Sequence, residues 1–163
     1  MGFIQQYIEK KKFEKEEKEL KIKNSCSASI SILDDLIPEL RNWINHIASN
    51  KKDISDYSVK YLLQLLSFVN VNYSNFVWDL NLHKVRYERP FHQNKNEIKE
   101  KIDYMMQKKK EYRVEFESIY NTFKRVTKGV NFPRRNEILG LMRKAFDFDS
   151  SKYYQKNIVH EIQ

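Results

Sequence analysis

The chain is predicted to be all-α: an elongated helical bundle of four to five helices with two long central helices. Two apolar seams and a scarcity of turn-forming residues carry that prediction. Between Glu97 and Val126, apolar side chains recur at Ile98, Ile102, Met105, Tyr112, Phe116, Ile119, Phe123 and Val126, with Lys109 at the one skipped position. Steps of three, four and seven residues keep these side chains on one helical face for about eight turns. Val59, Leu62, Leu66, Val69, Tyr73, Phe76 and Leu80 repeat the pattern over the preceding segment. Two such helices in tandem bury their seams by packing side by side. Only three glycines and three prolines occur in 163 residues, which leaves too little turn material for an α/β or all-β fold. The length suits one domain, residues 1–163, with a core of its own.

Residues 3–23 read as a charged N-terminal helix. Phe3, Ile4, Tyr7 and Ile8 form an apolar face in its first turns, which is expected to dock on the bundle; the alternative is an amphipathic anchor for a membrane or partner. From Glu9 to Lys23 lysine and glutamate dominate, and Glu14–Lys18 and Glu17–Lys21 sit at supportive i, i+4 spacing. Serines and Asn24 within residues 24–31 mark a break. The second helix follows, with Ile30, Leu33, Leu36, Ile37, Leu40, Ile44 and Ile47 on one face. Pro38 either lies near a first turn capped by Asp34 or Asp35, or kinks a longer helix. Ser49 to Asp53 is expected to be a polar loop.

Ser55 or Asp56 caps the third helix, Tyr57–Leu80, and Pro90 with the polar run His92–Asn96 closes it off. Asn94 or Asn96 caps the long fourth helix, and Gly129 is placed to end it in the left-handed conformation. A shorter helix then starts at Asn131-Phe132-Pro133, with Ile138, Leu141, Met142, Ala145 and Phe146 on its apolar face. Residues 152–162 form a last short helix or, with 150–163 as a whole, a loose tail.

Cys26 is the sole cysteine, so neither an intrachain disulfide nor a thiolate metal cluster can form within the chain. The four histidines do not fall at metal-ligand spacing, there is no phosphate-binding glycine loop, and no cofactor is expected. The beginning of the sequence lacks the basic and apolar regions of a secretory signal, no apolar run is long enough for a membrane span, and a cytoplasmic location is expected.

Charge supplies the main functional signal. The net charge is +8, and residues 1–50 contribute none of it, with eight basic and eight acidic side chains. Residues 121–163 carry nine basic against four acidic, so the last quarter holds most of the excess. Lys124, Arg125 and Lys128 close the long helix, Arg134 and Arg135 open the next, and Arg143 lies further along it. These six should form one basic corner, with Lys108-Lys109-Lys110 and Arg113 as a second cluster upstream. Guanidinium groups bind phosphate and carboxylate bidentately, so the expected partner is nucleic acid or an acidic protein surface. Phe123, Phe132, Phe146, Tyr153 and Tyr154 are interleaved with the basic residues and are read chiefly as core. Homo-oligomers are compatible with this pattern, and a membrane partner is not expected. The function expected is therefore a non-catalytic binding module, an accessory or regulatory subunit of the kind found in phage- or defence-associated systems. A structural or scaffolding helical protein is a third class.

One short motif suggests an enzyme instead. Arg41-Asn42-Trp43-Ile44-Asn45-His46 places an Arg, a polar residue and then a His five positions after the Arg. It resembles the signature of the HEPN family, α-helical bundles of which many are metal-independent ribonucleases acting as dimers. The resemblance implies that His46 moves a proton at the ribose 2′-hydroxyl or the leaving oxygen, that Arg41 holds the scissile phosphate, and that Asn42 is the polar neighbour. Imidazole titrates near neutrality and guanidinium fits phosphate, so the residue types suit those roles. A second Arg–His pair, Arg86 and His92, spans Pro90.

Overall fold

The computed structural model describes residues 2–50, 54–89 and 94–147. Within them the chain forms five helices and no strand: α1 (Phe3–Ser25), α2 (Ala28–Asn50), α3 (Asp56–Glu88), α4 (Lys95–Val126) and α5 (Arg135–Asp147). The expected residues 150–163 tail, Tyr153, Tyr154, His92, His160 and Pro90 lie outside the described residues. Helices α3 and α4 are the spine. Each packs against α2 and α5, while α1 touches only α4 to any extent.

The seams account for this arrangement. Every residue of the α3 seam is buried, and on α4 Ile98, Met105, Tyr112, Phe116, Ile119 and Phe123 are buried with it. Ile102 and Val126 are only half-buried, because they sit at the margins of the stripe rather than in its centre. Tyr73, Phe76, Tyr112 and Phe116 form an aromatic centre; the Tyr73 and Phe116 rings meet edge to face, 5.1 Å apart at 88°. Leu40, Leu66, Phe116, Ile119 and Met142, from four different helices, line one internal cavity. Asn70 adds a polar tie within this core, donating from Nδ2 to the Leu141 carbonyl at 2.9 Å and so linking α3 to α5.

The helix starts and stops follow local chemistry. Ser27 opens α2: its Oγ accepts from the Ser29 N–H at 3.2 Å and its carbonyl from Ile30 at 3.1 Å. The helix therefore begins well before Asp34, and Pro38 lies inside it on the exposed side. There the missing N–H costs one intrahelical hydrogen bond at a water-accessible face. Ser55 caps α3, accepting from the Ser58 N–H at 3.2 Å. This helix runs on to Glu88, two turns beyond the end of its apolar seam. Asn94 precedes α4 with a left-handed φ of 67°. Gly129, at φ 75°, turns the chain after α4, a conformation glycine adopts without steric cost. The last helix starts at Arg135 rather than beside Pro133, because Arg134 takes a left-handed φ of 57° and breaks the helical run.

The N-terminal helix departs most from the sequence expectation. Residues 2–21 are exposed throughout, and Phe3 and Ile4 keep 87% and 76% of their surface in water. The first turns do not dock on the bundle. Lys18 reaches Glu100 of α4 at 3.2 Å, and Ile22 is half-buried, so attachment is confined to the helix's final turns. None of the helices in the described residues is long and apolar enough to cross a membrane.

Candidate functional site

Helix α2 presents polar side chains to two separate grooves. The first lies between α2 and α4, where Asp34 and Arg41 face Lys108, Glu111, Tyr112 and Glu115. Its charges are matched. Asp34 Oδ1 accepts from the Tyr112 hydroxyl at 2.9 Å and lies 3.0 Å from Lys108 Nζ. The same ammonium is 3.5 Å from Glu111 and 5.1 Å from the centre of the Tyr112 ring. Burial, with the Asp34 carboxylate beside it, drives the Tyr112 phenol far above its ordinary range. Arg41 is engaged by the Glu115 carboxylate.

The second groove lies on the other side of α2. Glu39, Asn42, Trp43 and His46 line it, spaced i, i+3, i+4 and i+7 and hence on one helical face. Tyr61 of α3 packs on Trp43 with ring centres 5.0 Å apart and donates its hydroxyl proton to Glu39. The His46 ring meets Trp43 edge-on at 5.6 Å and 84°, and its Nδ1 is 3.3 Å from the Asn50 side-chain amide. Arg41 and His46 thus line different grooves: the first is held toward α4, the second stands beside the ring that packs on α3. Asn42 lies with His46.

The third location is the junction of α4 and α5. Arg135 is only half-exposed and has a structural task. Its Nε donates to the Thr127 hydroxyl at 2.8 Å and its Nη2 to the Lys124 carbonyl at 3.0 Å. Thr127 is fully buried and donates in turn to the Phe123 carbonyl at 2.6 Å. The Arg135 bond supplies a donor to the Lys124 carbonyl in the last turn of α4, and the Phe123 carbonyl accepts both the hydroxyl and the N–H of Thr127. Arg134 is chelated by Glu137 through two contacts of 2.7 Å. Arg134 and Arg135 thus both have partners within the chain, while Arg134 stays exposed among the other basic residues.

The remaining basic residues are differently placed. Lys124, Arg125, Lys128, Arg143 and Lys144 are all exposed. Lys124 Nζ and the Arg143 guanidinium carbon come within 5.8 and 6.0 Å of the same Tyr120 ring centre, so cations from two helices converge on one aromatic side chain. Among the described residues, neither Arg125 nor Lys128 has a carboxylate partner. Upstream, Lys108 belongs to the Asp34 network and does not join this surface. The described residues contain no group of three or more His, Cys, Asp or Glu side chains placed to hold a metal ion.

Sequence reasoning missed the Glu39–Trp43–Tyr61 grouping and the role of Arg135. The former joins two helices across a gap of 22 residues. Only the coincidence of Trp43 on α2 with Tyr57 and Tyr61 at the start of α3 hinted at an aromatic surface there. No family model, curated protein or solved structure matches the chain.

Proposed function

We propose that the chain is a small cytoplasmic binding module, an accessory or regulatory subunit, whose α4–α5 junction engages nucleic acid or an acidic protein surface. The observation that carries this reading is the convergence of Lys124 and Arg143 on Tyr120, beside Arg125 and Lys128, which lack carboxylate partners among the described residues. The Arg135–Thr127 tie holds the two helix ends together, so the cations are presented at a defined spacing. A polyanion releases its counterions on meeting such a surface, and this is the dominant source of affinity in nonspecific nucleic-acid binding.

The test is titration of fluorescent single- and double-stranded oligonucleotides and of an acidic peptide, at several salt concentrations. Four contacts predict a log–log salt slope of about −3 to −4 for nucleic acid. Replacing Arg125, Lys128 and Arg143 together by Glu should abolish binding without unfolding the chain. Binding untouched by that triple change would refute the assignment.

A ribonuclease of the HEPN kind ranks below this reading. Its chemistry needs Arg41 and His46 on one phosphodiester, whereas Arg41 is engaged by Glu115 in the α2–α4 groove and His46 lines the other groove.

A further inference from the structure

The groove on the α2–α3 side has a composition that the polyanion-binding junction does not explain. The geometry points to it as a binding site for an organic cation, with an alkylammonium or guanidinium group seated against Trp43 beside the Glu39 carboxylate.

Three observations carry the assignment. The first is the state of Glu39. Each of the acids Asp34 and Glu115 faces a cation of the chain, Lys108 and Arg41 respectively. Glu39 is half-buried, yet among the described residues it has no lysine or arginine partner, in a chain whose net charge is +8. Its interaction is with a neutral donor, the Tyr61 hydroxyl. A carboxylate offers several acceptor positions, so the single bond from Tyr61 leaves lone pairs for an incoming donor.

The second is the aromatic wall. Indole gives the strongest cation–π attraction of the natural side chains. The Trp43 ring is held in place by Tyr61 at 5.0 Å and by His46 edge-on at 5.6 Å. The Tyr61 ring packs on the indole while its hydroxyl donates to Glu39, so one phenol ties the aromatic wall to the carboxylate. The site is therefore organised before a ligand arrives, which removes an ordering cost from binding.

The third is access and selectivity. The groove is open to solvent, so an alkylammonium group or the end of a lysine or arginine side chain can reach Trp43 and Glu39 from outside. Asn42 and His46 form the polar rim of the groove. A phosphate would meet the Glu39 charge and be repelled, so this groove and the α4–α5 junction select ligands of opposite sign.

The test uses the full chain with Trp78→Phe, so that fluorescence reports Trp43. The probes are choline, lysine amide, arginine amide, a nucleoside, and the neutral carbon analogue of choline, which carries a tert-butyl group in place of trimethylammonium. A saturable response to one or more cations, with none to the neutral analogue, is expected. Calorimetry on Glu39→Gln, which keeps an acceptor for Tyr61, should show affinity for the cation reduced about tenfold. Preference for choline would identify a small quaternary amine as the ligand, and preference for an amino-acid amide a basic peptide. Equal binding of the neutral analogue, unchanged affinity in Glu39→Gln, or binding of the nucleoside alone would overturn the assignment. So would the absence of any response. Loss of polyanion binding at the α4–α5 junction would leave this result unaffected.

Discussion

Arg135 and Thr127 face each other across the α4–α5 turn, with the guanidinium Nε 2.8 Å from the threonine oxygen. This contact makes an arginine in the most basic part of the chain a structural residue. Arg135→Ala removes the donor to Thr127 and to the Lys124 carbonyl, and should destabilise the fold by about 1–3 kcal/mol. Arg125→Ala, on the exposed side of the same turn, should change stability by less than about 0.5 kcal/mol. Urea denaturation of the two variants side by side tests the distinction. Equal midpoints would show that the Arg135 bonds contribute nothing net.

Gly140 interrupts α5 on its exposed side, and a methyl group built there would meet nothing within 4 Å. A glycine in a helix interior weakens it relative to alanine through lost backbone entropy. Gly140→Ala should therefore raise stability by about 0.5–1 kcal/mol, seen as a higher denaturation midpoint.

Phe116 stands where α2, α3, α4 and α5 meet and retains only 4% of its surface. Phe116→Ala should cost about 3–5 kcal/mol, the loss of the buried ring plus the cavity it leaves. Ile102→Ala, at the half-buried margin of the same seam, should cost distinctly less. Thermal melts of the two variants check the order, and a reversed order would be inconsistent with the packing.

The Tyr112 phenol is raised far above its usual range by burial and by the Asp34 carboxylate. A group whose folded pKa exceeds its unfolded value stabilises the fold fully below the unfolded value, and that contribution is lost as the pH climbs toward the folded one. Stability should thus decline above about pH 10, the ordinary tyrosine value, as the unfolded state gains by ionising. In an alkaline absorbance titration Tyr112 should ionise only together with unfolding. Tyr112→Phe should remove one late-titrating phenol and make the alkaline limb of the stability curve shallower. A full complement of phenols ionising before any loss of helical signal would contradict this.

The spine was legible because periodicity is a local property. The α3 seam from Val59 to Leu80 and the α4 seam from Ile98 to Phe123 needed only a count of residues per turn, and the packed helices bury every member of them except the half-buried Ile102. Helix ends were legible where a side chain caps its own neighbourhood, as Ser55 does. What failed depended on contacts between distant residues. Phe3, Ile4, Tyr7 and Ile8 formed a credible docking face, but a sequence does not say whether the surface opposite that face exists, and here the bundle does not reach it. Arg135 resembled its exposed neighbours in composition, and only the fold reveals that it meets Thr127 and the end of α4. The pairing of Glu39 with Tyr61 belongs to the same class, since neither residue stands out within its own helix.

The solitary course of α1 bears on how the molecule melts. Helices in globular proteins owe most of their stability to tertiary packing, and without it helicity falls with rising temperature. From Phe3 to Lys21 the side chains of α1 are exposed, so cohesion there rests on intrahelical pairs such as Lys11–Glu14, 4.0 Å apart, and on the surface contact of Lys18 with Glu100 rather than on a shared core. The cooperative unit is therefore α2 to α5, and the first helix should fray on warming well below the main transition. Far-ultraviolet ellipticity would then fall along a sloping baseline while near-ultraviolet bands of the aromatic centre stay constant. A single calorimetric enthalpy would describe only the smaller unit.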